Sequence, residues 1–317
     1  MTKVYDVVVV GSANADMAVG VERRPAVGET VLGSALATHP GGKGANQAVA
    51  AARLGARVAL VSRVGDDAHG RFLLKAQKAA GVCTHAVQVG GAPTGVALIM
   101  VGPQGDDSIV VSPGANALLS PEDTRASQDL LSAARVVSLQ LEIPLATVAA
   151  AVTAAGPQTR VVLNPSPPAP LSTRVLAACD PLVLNEHEAR AMLGDTGEHG
   201  TPEEWCTALL RLGPRSVVVT LGAEGAVAAD ASGAVRVPGI PVAAVDTTGD
   251  GDAFTGALAW RLAQGDTLAQ AVEFAVRVGA AAVPRAGAQD SFPTLEHLAD
   301  REHRETSSHR PAGSTDA

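Results

Sequence analysis

A glycine-rich turn near the end of the chain, Asp246-Thr247-Thr248-Gly249-Asp250-Gly251-Asp252, leads directly into apolar residues with helical spacing. Backbone N–H groups at such a turn point outward from the helix N-terminus and can bind an anion, most obviously a phosphate. Asp252 falls in the first turn of the predicted helix, where its carboxylate could accept a proton from a hydroxyl beside that phosphate. The alternative is an ordinary helix start, at which Asp is favoured for stability alone.

A second glycine-rich loop, Pro40-Gly41-Gly42-Lys43-Gly44-Ala45-Asn46, opens another predicted helix. It is not a P-loop, because Gly44 stands where that motif needs Ser or Thr and Ala37 stands where it needs its first Gly. Adjacent glycines let a ligand approach the backbone closely, and Lys43 and Asn46 can hydrogen-bond ligand hydroxyls. The loop therefore predicts a ligand-binding helix start.

Polar residues also follow several short apolar runs that we predict to be strands. They are Asn14 and Asp16, Glu142, Asn185 and Glu188, and the turn residues Thr220, Gly222 and Gly225. In an open α/β sheet, ligands bind outside the carboxyl ends of the strands. These residues could therefore hold hydroxyls, phosphates or metal-bound water, although a lone carboxylate at a helix start more often complements the helix dipole.

The elements that must position these residues alternate between strands and helices. Short β-branched runs bounded by turn residues predict buried strands at 7–10, 58–61, 136–139, 161–163, 182–184 and 217–221. Helical spacing predicts helices over 45–54, 70–80, 145–155, 186–193, 203–212, 252–264 and 267–283. This alternation predicts the α/β class, with a doubly wound, mostly parallel sheet flanked by helices.

Three runs break the alternation. Residues 30–38, 95–101 and 108–112 predict antiparallel strands, with 102–107 as the turn between the last two. They predict a small β-sheet lid contributed by about 12–39 and 93–115, with one face left to cover a ligand or a second subunit. We expect one domain over 1–297, and a frayed helix end with a polar, disordered tail over 298–317.

Composition disfavours several classes of function. The 317 residues carry a formal net charge of −8 and only four Phe, two Trp and one Tyr, which argues against a nucleic-acid partner. No uninterrupted apolar stretch reaches the roughly 18–20 residues that a membrane helix needs, so no membrane partner is expected. Cys83, Cys179 and Cys206 lie far apart and form no C-x-x-C motif, which predicts a reducing, cytoplasmic location.

Taken in order, these blocks resemble the PfkB family of carbohydrate kinases, also called the ribokinase-like kinases. The resemblance runs from about residue 7 to residue 293. It is carried by Gly11-Ser12-x-Asn14-x-Asp16, Pro25-x-x-Gly28-Glu29-Thr30, Gly41-Gly42-Lys43-Gly44-Ala45-Asn46-Gln47-Ala48, Gly65-Asp66-Asp67, Thr94-Gly95-Val96-Ala97, Gly114-Ala115-Asn116, Leu141-Glu142, Asn185-Glu186-x-Glu188 and Asp246…Gly251-Asp252. Any single block is weak, but nine in register are hard to obtain by chance.

The resemblance implies ATP-dependent phosphorylation of the 5-hydroxyl of ribose. It makes Asp252 the base and the amides of Gly249, Asp250, Gly251 and Asp252 the anion hole for the transferred group. The residues it implies for the sugar are Asn14, Asp16, Gly42, Lys43, Asn46 and Glu142, together with Asp252. Those it implies for the nucleotide are Asn185, Glu188, Thr220, Gly222, Gly225 and Gly251, with Glu188 meeting Mg²⁺ through water.

The resemblance also implies a monovalent cation, expected to be K⁺, and a homodimer joined through the lid. The matching cation positions, mostly acting through backbone carbonyls, are Asp246, Thr248, Ala282, Arg285, Gly287 and Ser291. A bound cation there would fix the anion-hole loop. The alternative is that Asp246 only caps the turn.

Two departures from the family pattern affect these expectations. Asp250 stands where the family usually has Ala, and a like charge about 6 Å from a phosphate costs about 2–3 kcal/mol at an effective dielectric near 20. We therefore expect the Asp250 side chain to point away to solvent. Residues 275–282 of the predicted helix over 267–283 lack the Asn or His often found near the adenine, so the residues around the base stay unassigned.

Several alternatives remain from the sequence. Another small sugar, such as 2-deoxyribose or fructose, is the nearest, while a nucleoside would need aromatic or apolar walls that the sugar-side segments do not provide. A non-catalytic sugar-binding regulator on the same scaffold is the alternative from a different class of protein. The presence of both Asp252 and the glycine loop disfavours it, because a binder has no use for a base.

Overall fold

The structure, a computed structural model, describes residues 4–103, 106–194, 200–285 and 287–308, and of 302–308 it describes the backbone only. Its strands are β1 (Tyr5–Val10), β2 (Asn14–Gly20), β3 (Ala37–Gly41), β4 (Val58–Val64), β5 (Val87–Val89), β6 (Gly95–Val101), β7 (Asp107–Ser112), β8 (Ala134–Leu139), β9 (Arg160–Leu163), β10 (Cys179–Asn185), β11 (Ser216–Thr220), β12 (Gly225–Asp230) and β13 (Gly233–Pro238).

Its α-helices are α1 (Lys43–Arg53), α2 (Ala68–Ala79), α3 (Pro121–Ala126), α4 (Gln128–Ser132), α5 (Leu145–Ala154), α6 (Thr173–Ala178), α7 (Glu186–Leu193), α8 (Pro202–Leu210), α9 (Asp250–Gln264), α10 (Leu268–Ala282) and α11 (Leu295–Ser308). Short 3₁₀ helices span Gly114–Leu118 and Gly222–Glu224.

A nine-stranded sheet forms the centre of the molecule, in the order β13-β12-β11-β10-β9-β8-β1-β4-β5. The strands from β5 to β11 are parallel, and β12 and β13 add an antiparallel edge. The predicted α/β class with a mostly parallel sheet is confirmed. From β1 the chain continues to β4 on one side and later returns to β8 on the other, so the strand order reverses between β1 and β8.

Both faces of this sheet are covered by helices, which is why its strands are apolar throughout. In β1, Val7 and Val9 pack into one core while Val8 and Val10 pack into the other. The first core includes residues of α1, α2, α9 and α10, and the second includes residues of α4 to α8. Strands buried on both faces need continuous rather than alternating apolar residues, as the sequence has.

Helices α1 and α9 pack closely against each other, and this contact positions two of the predicted functional segments. Gly256 of α9 makes the approach feasible, because a Cβ atom there would lie 2.6 Å from the carbonyl oxygen of Gln47. The N-terminal turns of the two helices therefore lie side by side. Lys43 begins one of these turns and Asp252 lies in the other.

A small sheet made of β2, β3, β6 and β7 stands apart from the large one, in the order β3-β2-β6-β7. It is mixed, because β2 and β6 are parallel while the outer pairs are antiparallel. The predicted strands at 95–101 and 108–112 are present. The prediction of a strand over 30–38 is wrong, since the strand is Ala37–Gly41. That stretch pairs with β2, whereas Leu32 in the preceding segment is exposed and outside any strand.

Two further features differ from the expectation. Asn14 and Asp16 do not lie in a turn after β1 but on β2, a strand that the sequence analysis did not predict. The boundary expected at 297 falls inside α11, which continues to Ser308. This helix is held against the domain because Leu298 is buried and Arg301 donates a hydrogen bond to the carbonyl oxygen of Ala280. Residues 309–317 of the expected tail lie outside the described residues.

None of the helices in the described part of the chain combines the length and the apolar character that crossing a membrane requires.

Candidate functional site

The reversal of strand order between β1 and β8 brings together residues that are far apart in the sequence. Glu142, just beyond β8, accepts a hydrogen bond from the Ser12 hydroxyl through its Oε2 atom at 2.5 Å. The same oxygen accepts from the backbone N–H of Lys43 at 3.2 Å and from Asn14 Nδ2 at 3.4 Å. Ligands of open α/β sheets bind at this kind of crevice. Three of the predicted sugar-binding residues therefore meet here.

Asn14 is held in place by a residue that the sequence analysis did not assign to the site. Its Oδ1 accepts a hydrogen bond from Asn116 Nδ2 at 2.7 Å, and Asn116 Oδ1 in turn accepts from the backbone N–H of Ala13 at 2.9 Å. Both asparagines are buried. Asn116 thus fixes the start of β2. Its only sequence signal was its place in the Gly114-Ala115-Asn116 block of the family pattern.

Asp16 presents a carboxylate oxygen that is ready to accept a hydrogen bond. Its Oδ1 atom is buried and has no hydrogen-bond partner among the described residues. Burial raises the pKa of Asp16 to about 7, and the negative charges of Glu142 and Asp252 add to the effect while Lys43 opposes it. A Cβ atom on Gly41 would lie 1.9 Å from Asp16 Oδ2, so a larger residue at position 41 would displace this carboxylate. A buried acceptor without a partner is costly unless a ligand donates to it.

The glycine loop before α1 places Lys43 among the carboxylates. Gly42 has a φ of 87°, and a Cβ there would meet the backbone of Asn14 at 2.7 Å, so the loop needs glycine at this position. Burial alone would lower the pKa of Lys43, but the charges of Asp252, Glu142, Glu188 and Asp250 outweigh it and raise that pKa. Lys43 is therefore a firmly charged cation at the centre of the site.

Asp252 is buried, at 6% exposure, and both of its carboxylate oxygens accept hydrogen bonds from α1. Oδ2 accepts from Asn46 Nδ2 at 2.9 Å and Oδ1 accepts from Gln47 Nε2 at 3.1 Å. Burial raises the pKa of Asp252 to about 6, opposed by Lys43 and by these two amides. The group is thus ionised near neutral pH, yet basic enough to take up a proton.

Asn46 was expected to contact a sugar, and in the structure both ends of its amide have protein partners. Its Nδ2 donates to Asp252, and its Oδ1 accepts from Gln289 Nε2 at 3.0 Å. An amide nitrogen carries two hydrogens, so one donor is left for a ligand. Asn46 therefore connects Asp252 to Gln289 through its amide.

The N-terminus of α9 forms the predicted anion-binding turn, with Gly249 at a φ of 78°. The expectation that Asp250 points to solvent is wrong. Its Oδ1 accepts a hydrogen bond from the backbone N–H of Gly251 at 2.6 Å, and the residue borders two cavities. The first amides of a helix have no acceptor within the helix and carry partial positive charge, so they attract nearby oxygens. The Asp250 N–H donates to the carbonyl oxygen of Thr247 at 3.3 Å, and the Gly251 N–H donates to the Asp250 carboxylate. Burial raises the pKa of Asp250.

Two adjoining cavities meet at this turn. The polar one, of about 230 Å³, is lined by Lys43, Asn185, Glu188, Asp252 and the glycine turn, among others. The apolar one, of about 210 Å³, is lined by Thr220, Gly222, Gly225, Val276, Gly279 and Val283, among others. Thr220, Thr247, Asp250 and Gly251 border both cavities. Lys43 and Asp252 of the expected sugar site and the residues expected for the nucleotide therefore line one continuous space.

Asn185 and Glu188 also cap the start of α7. The Asn185 side chain accepts from the backbone N–H of Glu188 at 2.8 Å, and Glu188 Oε2 accepts from the backbone N–H of Asn185 at 3.0 Å. This is a capping box, which accounts for the two residue types structurally. Both residues also line the polar cavity, so their capping role is compatible with the nucleotide-binding role expected from the sequence.

The segments expected to hold a monovalent cation lie against each other beside the glycine turn. Asp246 accepts from the backbone N–H of Thr248 at 2.9 Å and of Gly287 at 2.7 Å. These hydrogen bonds outweigh its burial and lower its pKa. The backbone N–H of Asp246 donates to the carbonyl oxygen of Val283 at 3.1 Å. An ionised carboxylate is the type of oxygen ligand that hard cations prefer.

A family model for pfkB family carbohydrate kinases matches residues 5–295. The chain belongs to this family. A pfkB carbohydrate kinase transfers a phosphoryl group to a sugar hydroxyl, and this is the class of enzyme expected from the sequence.

Relatives of this pfkB kinase are similar to it over almost their whole length. A ribokinase of Bacillus subtilis is 39% identical over 295 residues, which cover 92% of this chain and 98% of the relative. A deoxyribokinase of Salmonella typhi is 35% identical over 299 residues, covering 92% and 97%. The structure of Arabidopsis thaliana ribokinase complexed with ribose and ATP superimposes with a TM-score of 0.84 at 32% identity, over 95% of this chain and 98% of that one.

Proposed function

We propose that this pfkB kinase transfers the γ-phosphoryl group of ATP to O5 of D-ribose, giving ribose 5-phosphate and ADP. The observation that carries the proposal is the meeting of Asp252 with a polar sugar-side cluster and with the N-terminus of α9. A base, hydroxyl-binding groups and an anion-binding turn then lie around one point. Phosphoryl transfer depends mainly on such positioning and on charge neutralisation.

In this proposal, the sugar binds in the crevice between β1 and β8. Asp16 accepts hydrogen bonds through its unpartnered Oδ1, and Asn14, Lys43 and Glu142 complete the polar wall. Asp252 faces the hydroxyl that attacks, and takes its proton as the new P–O bond forms. The amides of residues 249–252 then stabilise the charge on the transferred group.

Lys43 provides the positive charge that this reaction needs. It lines the polar cavity together with Asp252 and the α9 turn, and four carboxylates raise its pKa. A fixed cation beside the transferred phosphoryl group offsets negative charge in a site where water is largely excluded. It also lowers the pKa of Asp252, which favours the ionised form of the base.

The nucleotide would lie along the two cavities, with its phosphates in the polar one and its base in the apolar one. Val276, Gly279 and Val283 offer a flat apolar wall for the base, although none of them can recognise it by side-chain hydrogen bonds. Asn185 and Glu188 would hold the hydration shell of Mg²⁺, which supplies charge neutralisation for the phosphates when it is bound. A carboxylate and an amide are suitable partners for metal-bound water.

We further propose that a monovalent cation, K⁺, binds where the loop at 246–248 meets the segment 282–291. Asp246, Thr248, Ala282, Arg285, Gly287 and Ser291 are the proposed contacts. The closely packed backbone and the ionised Asp246 carboxylate support this assignment. A cation there would hold the α9 turn in place.

The small sheet supports a proposal of homodimerisation. Leu98 and Val110 are cross-strand partners and are 53% and 64% exposed. An apolar pair of this kind on a sheet separate from the large one favours burial against a second copy.

We also propose a cytoplasmic location, because the three cysteines are all free thiols, as a reducing compartment would keep them.

A second candidate substrate is 2-deoxyribose, because one of the similar relatives is a deoxyribokinase. The two sugars differ by one hydroxyl, and a site built to hydrogen-bond that group discriminates strongly against its loss. ADP release with ribose, 2-deoxyribose, fructose and adenosine as acceptors tests the choice. The proposal expects the highest kcat/KM with ribose. A higher value with another acceptor would overturn the assignment, and sugar binding without ADP release would favour a regulator.

Ribose binding in the absence of ATP is expected to weaken as pH falls below about 7. The pKa of Asp16 is raised to about 7, and its ionised form is the better acceptor for sugar hydroxyls. Protons therefore compete with the sugar, and Kd rises by up to about tenfold per pH unit below the pKa. Calorimetric titration between pH 5.5 and 8.5 measures this. Asp16→Asn is the matched control with a flat profile, and an unchanged wild-type Kd would contradict the expectation.

Asp250→Ala is expected to keep or raise kcat and to lower KM for ATP by about 2–10-fold. In the wild type the Asp250 carboxylate accepts from the Gly251 amide at 2.6 Å, where a phosphate oxygen would bind. Removing the carboxylate removes both the competition and the like-charge repulsion. Initial rates at varied ATP measure the effect, with Asp250→Asn separating charge from shape. A collapse in turnover would show that the carboxylate is needed.

A further inference from the structure

A chain of buried polar side chains runs from β8 to the carboxylate of Asp252. Gln47, Ser138 and Gln140 are each 0% exposed. The Ser138 hydroxyl donates to Gln47 Oε1 at 2.8 Å, and Gln140 Nε2 donates to the same oxygen. Gln47 Nε2 then donates to Asp252 Oδ1 at 3.1 Å. The three residues therefore form a layer directly behind the carboxylate.

These hydrogen bonds determine the orientation of the Gln47 side-chain amide. Two donors converge on the oxygen of the Gln47 amide, so its nitrogen must face the other way, toward Asp252. An ionised carboxylate can only accept hydrogen bonds, so the opposite amide orientation would set two acceptors against each other in a buried place. The donors of Ser138 and Gln140 thus oppose rotation of the Gln47 amide.

Asp252 is held at both oxygens, and the two supports come from different directions. Asn46 holds Oδ2 and is itself held by Gln289, while Gln47 holds Oδ1 and is held by β8. A carboxylate fixed at both oxygens cannot rotate about its last bond. Its remaining lone pairs then keep a fixed orientation toward the polar cavity that Asp252 lines.

We propose that Gln47 is a positioning residue for the catalytic carboxylate, and that Ser138 and Gln140 act through it by fixing the direction of its amide. The inference rests on the proposed function, in which Asp252 is the base. Gln47 touches neither sugar nor nucleotide in this proposal. Its contribution is to the orientation of Asp252 and to the ease with which Asp252 stays ionised.

Gln47→Met tests the proposal, since it keeps the length of the side chain and removes the donor to Asp252. We expect kcat to fall about 10–100-fold, with KM for the sugar changed less than about threefold. The acidic limb of the kcat–pH profile should move up by about 1 pH unit. Lys43, Glu142 and Asp16 are the charged groups around Asp252, and the substitution changes none of them.

Gln77→Met is the matched control for burial. Gln77 is 1% exposed on α2, and neither of its amide atoms has a hydrogen-bond partner among the described residues. This variant should keep the wild-type profile. Ser138→Ala, which removes one of the two donors to Gln47 Oε1, should shift the limb in the same direction by a smaller amount. It also carries the test if Gln47→Met fails to fold.

The outcomes separate the inference from the proposed function. An acidic limb in the wild type that is absent in Asp252→Asn establishes Asp252 as the base. If Gln47→Met, or Ser138→Ala in its place, then keeps the wild-type midpoint, the positioning role is overturned. A loss of kcat by the same factor at every pH also overturns it, because that is the result of a structural defect. A wild type without an acidic limb contradicts the role of Asp252 itself.

Discussion

Replacing Asp252 with asparagine is expected to lower kcat by about 10²–10⁴-fold, the range that a positioned general base contributes. The wild-type carboxylate has a pKa of about 6 and is held at both oxygens, so it is ready to accept the sugar proton at neutral pH. Asparagine has nearly the same shape but cannot take up a proton. Steady-state ADP release at saturating ribose and ATP measures the loss.

The affinity for ribose provides the control for Asp252→Asn. An asparagine here would turn its NH₂ group toward one of the two amide donors of α1, which costs about 1–3 kcal/mol of stability. Thermal unfolding is expected to show that cost, while calorimetric Kd for ribose changes by only a few fold. A variant that is folded, binds ribose and retains a kcat within tenfold of wild type would refute the assignment of the base.

Asp16→Ala is expected to raise KM for ribose by about 100–1,000-fold with a smaller change in kcat. The carboxylate offers a buried, unpartnered Oδ1, and hydrogen bonds to a charged group contribute about 1.5–3 kcal/mol each. Two such bonds lost from the sugar account for the expected change. Initial rates at varied ribose and fixed ATP measure it.

Stability distinguishes a binding role for Asp16 from a structural one. The pKa of Asp16 is raised from 3.8 to about 7, which means that its carboxyl group loses its proton less readily in the folded chain than in the unfolded chain. At pH 8 the ionised group therefore destabilises the sugar-free fold, and this penalty fades as the pH falls. Asp16→Ala should unfold at the same temperature as wild type or higher at pH 8. A marked fall in melting temperature together with an unchanged KM would indicate a structural role.

Six of the seven parallel strands that the structure describes in the large sheet could be predicted, because a strand buried on both faces is a short apolar run bounded by turn residues. The seventh, β5, was missed because it has only three residues at the edge of the sheet. The hairpin of β12 and β13 is harder to predict, since β12 is rich in Ala and β13 is exposed at all positions but one. The strand Ala37–Gly41 was misplaced for another reason. Its extent is set by its pairing with β2, whose residues are 19 to 27 positions away in the sequence, and not by its own composition.

The candidate site likewise contains residues that could be predicted from the sequence and residues that could not. Residue types with direct chemistry, such as Asp252, Lys43 and Asp16, could be selected from glycine loops and strand ends. Their supports could not, because Gln47 and Ser138 are ninety-one positions apart and nothing local relates them. A hydroxyl inside an otherwise apolar strand was the one available signal for Ser138. The orientation of Asp250 was also missed, since it depends on the helix amide beside it.

Helix α1 supplies Lys43, Asn46 and Gln47 within its first two turns, and it is locked against α9 through Gly256. The distance between the acceptor hydroxyl and its base is thus fixed by one rigid helix, whose length cannot change to suit a larger carbohydrate. Engineering this scaffold for new acceptors should therefore leave α1 unchanged and vary the strands of the small sheet, where Asp16 and the facing Gly41 determine the space available to the sugar.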